Sequence, residues 1–340
     1  MLHDKVFGCG GCGEVLASAF EEHFGAEAHL FNFSKDSAFT RRAPFIDLGG
    51  TGRRPELGEI YYKNHRLRFQ DYINSILTDG ERLLVIAGLG GGAGSGILKP
   101  LLEDLFPFKF HYLHIIGVIP ENDVELRKRA LYDIKYLRGV IKKAEFPIVV
   151  YLADNEYIKK RLGLTISATY QKVNEEIMRP FHYYKQLSSE KTGWARSWKK
   201  LDLKDVETFM SVRGFADFRE FKFYETELKS YSLFCKHHDL KKCKSYLLGI
   251  TENGFNERID AVIKVIDRSY RNVPNVKTAN FSSNNDFNAL MLCTGMPLSK
   301  KIQQVVSKVI SEYKRIENKT QDATDAELNF DGMDNFTIFS

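Results

Sequence analysis

The sequence predicts an α/β protein whose first half is a doubly wound parallel sheet. Apolar runs of strand length alternate with stripes of apolar residues at helical spacing through this half of the chain. Glycine-rich loops follow two of these runs and lead into helices. Strands that alternate with helices form a parallel sheet with helices on both faces, and such sheets bind ligands beyond the carboxyl ends of their strands.

Five strand-like runs define this sheet. They are Val6–Phe7, His29–Phe31, Leu83–Ala87, Tyr112–Ile119 and Pro147–Leu152. Amphipathic helical stripes follow the first and fourth runs, at Val15, Leu16, Ala19 and Phe20 and at Leu126, Ala130, Ile134, Leu137 and Ile141. We assign this domain to residues 1–165.

A long central helix is predicted over residues 166–188. Its apolar and aromatic positions recur at helical spacing, at Ile166, Tyr170, Val173, Ile177 and Phe181. A smaller α+β domain over 189–313 follows, with strand-like runs at Glu220–Tyr224, Ser245–Ile250 and Ala289–Cys293. Residues 314–340 form an acidic tail, because six carboxylates stand against one lysine between Glu317 and Ser340.

Composition sets wide limits on function. The 340 residues are 43% hydrophobic, which is enough for two cores, and the net charge of +5 is too small and too dispersed to indicate nucleic-acid binding. The chain contains no apolar run of the roughly 18 to 20 residues that a membrane helix needs, and its first residues show no signal-peptide pattern. Five cysteines fit a reducing compartment. We therefore expect a cytoplasmic protein without a membrane partner.

The most informative segment is Gly90–Gly96, with five glycines in seven residues. It lies between the run Leu83–Ala87 and a helix that begins near Ile97. A strand that ends in a glycine loop and opens a helix presents bare backbone N–H groups at the positive end of a helix dipole. The segment predicts a phosphate-binding site.

A second glycine loop, Gly8–Gly13, matches the GxGxxG pattern of dinucleotide-binding oxidoreductases. Those enzymes carry an acidic residue about 20 positions later, where this chain has Asn32. No Gly-Lys-Ser/Thr follows either loop, so neither is a P-loop. Two metal or redox alternatives are weaker: a CxxC pair at Cys9 and Cys12, and a zinc knuckle formed by Cys235, His237, His238 and Cys243.

Gly90–Gly96 resembles the GGGTGTG signature of the tubulin/FtsZ superfamily of polymerising GTPases, with Ala93 and Ser95 in place of the two threonines. Gly8–Gly13 is similar to the first nucleotide loop of that family. Asn32, Ser34 and Asp36 stand where the family carries an Asn-Thr-Asp loop, and Gly49–Gly58 resembles the loop that senses the terminal phosphate.

The resemblance implies that GTP or GDP binds with Mg²⁺, and it assigns no metal ligand among the side chains. Glu125 and Arg129 match a Glu-x3-Arg pair near the ribose, and Asn155 matches an asparagine at the base. Tyr170 and Asn174 match an aromatic-x3-Asn pair, whose members share one helix face. The implied nucleotide contacts are Gly10, Gly11, Cys12, Asn32, Gly52, Arg53, Gly91, Gly92, Ala93, Gly94, Ser95, Gly96, Glu125, Arg129, Asn155, Tyr170 and Asn174.

Each of these residues also has a structural interpretation. An aromatic residue on an apolar stripe, such as Tyr170, is often a core residue. A Glu-x3-Arg pair is often a surface ion pair of small energetic value.

The segment Asp202–Met210 resembles the family's synergy loop, DxxDVxTxM. In that family the loop enters the nucleotide site of the next subunit, and its carboxylates orient the attacking water. The resemblance therefore implies that Asp202 and Asp205 are catalytic. Lys200 departs from the asparagine of the division protein, and the structural alternative is that Asp202 and Asp205 cap a helix that begins near Val206.

These features together imply a GTPase that forms head-to-tail filaments with itself. The substituted signature and the acidic tail resemble the phage and plasmid tubulins, which implies a phage protein that positions phage DNA in the cytoplasm of a bacterial host. Partition of a plasmid or prophage is the alternative, and a non-polymerising nucleotide-binding scaffold, suggested by Ala93 and Lys200, is a third. Expected partners are a phage capsid, DNA or an adaptor protein, and for the tail a basic stretch containing Lys236, Lys241, Lys242 and Lys244.

Overall fold

A computed structural model describes residues 2–34, 43, 48–121, 123–164, 170–189, 203–224, 227–235, 242–251, 264, 275–281 and 289–299. The helices are α1 (Gly10–Phe24), α2 (Pro55–Asn64), α3 (Arg66–Ile76), α4 (Gly92–Leu105), α5 (Val124–Lys143), α6 (Asn155–Arg161), α7 (Tyr170–Ser189) and α8 (Leu203–Met210). The strands are β1 (Lys5–Cys9), β2 (Glu27–Phe31), β3 (Arg82–Gly88), β4 (Tyr112–Ile119), β5 (Ile148–Asp154), β6 (Gly214–Tyr224), β7 (Glu227–Ser232), β8 (Ser245–Thr251), β9 (Asn275–Phe281) and β10 (Ala289–Met296).

The predicted α/β fold with a mostly parallel sheet is confirmed. The five predicted strands are β1 to β5, which pair in the parallel order β2-β1-β3-β4-β5. β5 then pairs in parallel with β6 near Val149 and Gly214, and the sheet continues through β10, β8 and β9. β7 pairs antiparallel with Arg219–Tyr224 of β6, on the side of β6 away from β10. The strands of both predicted domains therefore belong to one sheet in the described part of the chain.

Two apolar layers cover the two faces of this sheet. One contains buried residues of α2, α3, α4 and α5, and the other contains those of α1, α6, α7 and α8. The central helix begins at Tyr170 among the described residues, and Val173, Ile177 and Phe181 are fully buried, as their spacing predicts. Burial of a side chain such as Phe181 contributes about 1.5 to 3 kcal/mol, so this stripe anchors α7 against the sheet.

Several predictions fall outside the described residues. These are residues 166–169 of the central helix, the acidic tail over 314–340, Asp36, Lys200, Asp202, Lys236, Lys241 and His237 with His238. Within the described residues, every helix is too short or too polar to span a bilayer.

Candidate nucleotide site

The two glycine loops meet through their backbones. Gly10 opens α1 with a φ of +67°, and a Cβ there would lie 2.6 Å from the amide nitrogen of Gly94. A Cβ on Gly94 would lie 2.6 Å from the carbonyl oxygen of Gly88. Only bare backbones allow this approach, which brings the amino ends of α1 and α4 side by side at the carboxyl edge of β1 and β3. Two helix amino ends at one place favour an anion there.

Two glycines of these loops have free space where a side chain would lie. A Cβ on Gly11 would meet no described atom within 4 Å, and a Cβ on Gly91 would meet only the Gly88 carbonyl oxygen at 3.7 Å. Neither residue has a positive φ, so neither packing within the described chain nor backbone conformation requires glycine. Their bare backbones leave the first-turn N–H groups of α1 and α4 open to a ligand. This arrangement fits the phosphate groups of a nucleotide.

The loop before α2 closes another side of the site. A Cβ on Gly92 would lie 1.9 Å from the Thr51 hydroxyl oxygen, and a Cβ on Gly96 would lie 2.5 Å from the Pro55 carbonyl oxygen. From the opposite helix, a Cβ on Gly58 would lie 2.6 Å from the Gly92 carbonyl oxygen. The helices α2 and α4 therefore cross in backbone contact. This contact fixes the position of the Thr51 loop beside the glycines.

Arg53 occupies a strained position in this loop. It has a φ of 61°, and the left-handed region costs a residue with a Cβ roughly 1 to 2 kcal/mol. Arg129 on α5 donates a hydrogen bond of 2.7 Å from Nη1 to the Arg53 carbonyl oxygen, and Asp123 lies 3.7 Å from the Arg53 guanidinium. Gly52 next to it has open space at Cβ, and Glu125 is exposed on the first turn of α5. The matched arginine, Arg129, thus holds the loop rather than forming a surface pair with Glu125.

Asn155 follows β5 directly and begins α6. Asp154 caps this helix by accepting hydrogen bonds from the backbone N–H groups of Glu156 and Tyr157. The Asn155 side chain is only 7% exposed, and its Oδ1 has no hydrogen-bond partner among the described residues. An unpaired buried amide oxygen costs free energy, which a ligand that donates a hydrogen bond would recover.

Tyr170 and Asn174 lie on the first two turns of α7. The Tyr170 ring is 61% exposed, so the alternative in which it is a core aromatic does not hold. The Lys159 ammonium lies 4.5 Å from the centre of this ring, and Lys159 stands one turn after Asn155 on α6. Asn174 is half-buried. An exposed ring beside α6 is available to stack on a planar base.

Arg127 is a residue that sequence reasoning missed. It is 1% exposed, and its guanidinium donates to Asp154 at 2.8 Å, pairs with Glu156 at 3.0 Å and donates from Nε to the Glu121 carbonyl oxygen. Burial raises the pKa of Asp154 although Arg127 opposes this shift. Arg127 thereby ties α5 to the junction that carries Asn155.

Asp133 on α5 is the second missed residue. Its Oδ2 accepts hydrogen bonds from the Ser95 hydroxyl at 2.6 Å and from the Gly90 backbone N–H at 2.9 Å, and the Lys99 ammonium lies 3.5 Å from Oδ1. Ser95 is buried, and its hydroxyl bonds to Asp133 of the same chain. Only the backbone of Ser95 is therefore available to contact a ligand. Ala93 between these residues is half-buried.

Asn32 also acts within the chain. Its Nδ2 donates to Glu14 at 2.8 Å, and its Oδ1 accepts from the Phe33 backbone N–H. These bonds join the end of β2 to the first turns of α1, beside the exposed Cys12. Cys9 of the CxxC pair is buried, and burial raises the pKa of its thiol, which disfavours redox chemistry. Among the described residues, no group of three or more acidic, histidine or cysteine side chains could hold a metal ion.

The sheet separates Asp205 from the glycine loops. Asp205 lies on α8, which begins at Leu203, so position 205 is inside the helix rather than at its cap. Arg82, the first residue of β3, contacts α8 at Glu207, whereas the glycine loop follows the last residue of β3. The seven residues of β3 span roughly 20 Å at about 3.3 Å per residue. In one subunit, α8 and the glycine loops therefore lie at opposite edges of the parallel strands.

Comparison with known proteins gives relatives of one kind. No protein-family model matches the chain. The tubulin-like protein CetZ2 of Haloferax volcanii is 28% identical over 189 residues, which cover 51% of each chain. The cell division protein FtsZ of Buchnera aphidicola is 25% identical over 226 residues, 62% of this chain and 54% of its own. The chain thus spans about half the length of the curated relatives it matches.

Solved structures show the same fold over nearly the whole chain. The helical model of the TubZ-Bt two-stranded filament has a TM-score of 0.74 at 14% identity and covers 97% of this chain and 93% of that one. A GTPγS-form protofilament of TubZ from Bacillus thuringiensis serovar israelensis has a TM-score of 0.71 at 14% identity, with coverage of 93% and 94%. The fold is therefore tubulin-like.

Proposed function

Because the chain belongs to the tubulin/FtsZ superfamily, we propose that it is a GTPase that polymerises head to tail and hydrolyses GTP between neighbouring subunits. The observation that carries this proposal is the separation of α8 from the glycine loops by the length of the sheet. In each subunit the parallel strands end on one side beside α8, the α8 edge, and on the other side at the glycine loops, the glycine edge. A head-to-tail repeat would set the α8 edge of one subunit against the glycine edge of the next. Such a contact does not close on itself and generates an open filament.

In this proposal the glycine edge binds the nucleotide. Backbone N–H groups at the amino ends of α1 and α4 hold the phosphates, with Gly11 and Gly91 as the open positions. Arg53 and Gly52 approach the terminal phosphate. Asn155, Tyr170 and Asn174 hold the base, and the buried Asn155 Oδ1 accepts a hydrogen bond from it. Glu125 lies toward the ribose.

The α8 edge supplies the carboxylates. Asp202 and Asp205 of one subunit orient the attacking water at the glycine edge of its neighbour. Phosphoryl transfer depends mainly on positioning and on stabilisation of charge, so completing the site from a neighbour makes hydrolysis depend on assembly. A Mg²⁺ ion bound together with the nucleotide would supply neutralisation of the phosphate charge.

Two cellular roles fit the proposal equally. One is the positioning of phage DNA in the cytoplasm of a bacterial host, with a capsid, DNA or an adaptor as partner. The other is partition of a plasmid or prophage, with which the likeness to TubZ structures also agrees. In either role the acidic tail over 314–340 contacts a basic stretch of an adjacent subunit, of which Lys242 and Lys244 are exposed here. Deletion of residues 317–340 tests this contact, since unchanged assembly and salt sensitivity would reject it.

The proposal is tested by right-angle light scattering with GTP against GDP, beside phosphate release at increasing protein concentration. Assembly-coupled hydrolysis rises steeply above a threshold concentration, and scattering rises at the same threshold. Turnover that is proportional to protein concentration, without a threshold, would show a simple GTPase. Binding without turnover or scattering would show a nucleotide-binding scaffold, the alternative suggested by Ala93 and Lys200.

A further inference from the structure

Helix α8 has only eight residues, so its position depends on tertiary contacts. Isolated helices shorter than about 12 residues are marginal in water. Val206, Phe209 and Met210 bury their side chains in the apolar layer of α1 and α7. Apolar burial is not directional, however, and leaves the rotation of so short a helix weakly specified. Two polar contacts at the amino ends of the parallel strands fix the rotation of α8.

The first contact is made by Arg82. Its Nη2 and Nε donate to the two carboxylate oxygens of Asp4, at 2.6 and 3.1 Å, and its Nη1 donates to Glu207 on α8 at 2.5 Å. The backbones of Asp4 and Arg82 are also paired across β1 and β3. Burial would raise the pKa of Asp4, but hydrogen bonds from Arg82 lower it. One planar guanidinium thus joins the sheet to α8. A lysine could not pair with both carboxylates in this geometry.

The second contact is made by two buried histidines. His114 on β4 lies with Nε2 2.7 Å from the Met210 carbonyl oxygen, and its Nδ1 lies 2.9 Å from Nε2 of His3. A carbonyl only accepts, so His114 carries its proton on Nε2, and His3 donates to the other nitrogen. Met210 is the last residue of α8, where carbonyl groups have no partner within the helix.

The two contacts hold the second half of the helix. Glu207 is held through its side chain and Met210 through its backbone carbonyl. Positions two apart, such as 205 and 207, lie on different faces of a helix. The Glu207 side is thus held against the sheet edge. Position 205 remains on another face of α8.

We propose that Arg82 and the His3–His114 pair are positioning residues that fix α8 so that Asp205 of one subunit meets the nucleotide of the next. This inference rests on the proposed shared site and adds the residues that set its geometry. A displacement of about 1 Å at a reacting centre costs up to roughly a hundredfold in rate. Arg82 therefore acts on turnover in the neighbouring subunit and not on nucleotide binding in its own.

The direct test compares Arg82→Met with Glu207→Gln and with the control Arg66→Met, which removes an arginine that pairs with Asp104 on the other side of the sheet. We expect Arg82→Met and Glu207→Gln to lower kcat for GTP by roughly ten- to a hundredfold with unchanged affinity for a fluorescent GTP analogue. The double variant should lose no more turnover than Arg82→Met alone, because both substitutions remove the Arg82–Glu207 contact. Arg66→Met should retain normal turnover. Additive effects, or a loss of nucleotide affinity in Glu207→Gln, would overturn the inference.

A mixing experiment separates this inference from the proposed function. Gly11→Asp places a carboxylate at an open position of the glycine edge and leaves α8 intact. Mixed with Arg82→Met, it should restore turnover above the sum of the separate variants, because its α8 serves the intact glycine edge of Arg82→Met. Asp205→Ala mixed with Gly11→Asp is the reference. Recovery in the reference alone overturns the role of Arg82, and recovery in neither mixture overturns the shared site itself.

Discussion

The Ser95 hydroxyl donates a hydrogen bond of 2.6 Å to the buried carboxylate of Asp133, which also accepts from the backbone N–H of Gly90. A single side chain of α5 thereby holds both ends of the glycine loop Gly90–Gly96. The loop is positioned by this contact before any ligand arrives. Its serine, which resembles a nucleotide-site threonine in the sequence, forms part of that support.

Asp133→Asn should therefore weaken both the fold and the site. The amide retains the volume of the carboxylate but loses its charge, and a hydrogen bond to a charged group contributes about 1.5 to 3 kcal/mol. We expect the free energy of unfolding in urea to fall by about 2 kcal/mol and the affinity for a GTP analogue to fall about tenfold. The exposed Asp71→Asn is the control. Unchanged nucleotide affinity in Asp133→Asn would contradict the assigned support.

Gly91→Ala and Gly92→Ala form a matched pair at adjacent positions. A methyl group on Gly91 meets nothing closer than 3.7 Å, whereas one on Gly92 lies 1.9 Å from the Thr51 hydroxyl oxygen. Gly91→Ala should change stability by less than about 0.5 kcal/mol and weaken nucleotide binding. Gly92→Ala should destabilise the fold by about 1 to 3 kcal/mol, because the loop of Thr51 and Arg53 must move. Calorimetric titration measures the nucleotide affinity, and urea unfolding measures the stability. An equal loss of stability in the two variants would show that Gly91 does not have free space beside its Cα.

The buried His3–His114 pair predicts acid sensitivity. Burial lowers the pKa of His114 from 6.5 to about 4, and burial and His114 lower that of His3. Between these pKa values the unfolded chain binds protons that the folded chain does not, so stability falls as the pH falls from about 6.5 toward 4. His114 alone contributes about 3 kcal/mol to this loss.

Urea unfolding at several pH values measures the effect. The double variant His3→Gln/His114→Gln should show a much flatter dependence of stability on pH across this interval. His23→Gln, which removes an exposed histidine, should follow the unaltered protein. A double variant with the same slope as the unaltered protein would show that other groups control acid unfolding.

The sequence predicted the elements whose signals are local. The first five strands coincide with apolar runs, two of which are followed by glycine loops, and α7 has a regular buried stripe, so these elements follow from the sequence pattern. Helix α2 carries no such stripe, because only Gly58 and Tyr62 are buried on it. Strand β7 is largely polar and, among the described strands, pairs only with β6. Neither α2 nor β7 has a hydrophobic pattern that distinguishes its sequence from that of a loop.

The supporting residues of the site could not be predicted in this way. Asp133 and Arg127 act on groups that are 27 to 43 residues away, and only the folded chain brings these groups together. On the amphipathic helix α5 both appear as ordinary charged positions, while the neighbouring Glu125 and Arg129 match a family pattern. Recognition of motifs thus supplied the predicted ligand contacts, and the structure was needed to find the residues that support the loops carrying them.

Asp205→Ala gives the most direct test of chemistry at the subunit contact. Position 205 lies on α8 at the edge opposite the glycine loops, so its loss should leave the nucleotide site of its own subunit intact. We expect filaments to form with GTP while phosphate release falls by roughly a hundredfold or more. Because the nucleotide then remains unhydrolysed, light scattering should persist longer after assembly. Lys204→Ala, at an exposed neighbouring position of α8, is the control and should retain turnover. Normal phosphate release from Asp205→Ala filaments would remove Asp205 from the catalytic role and leave Asp202 as the only candidate carboxylate of the segment.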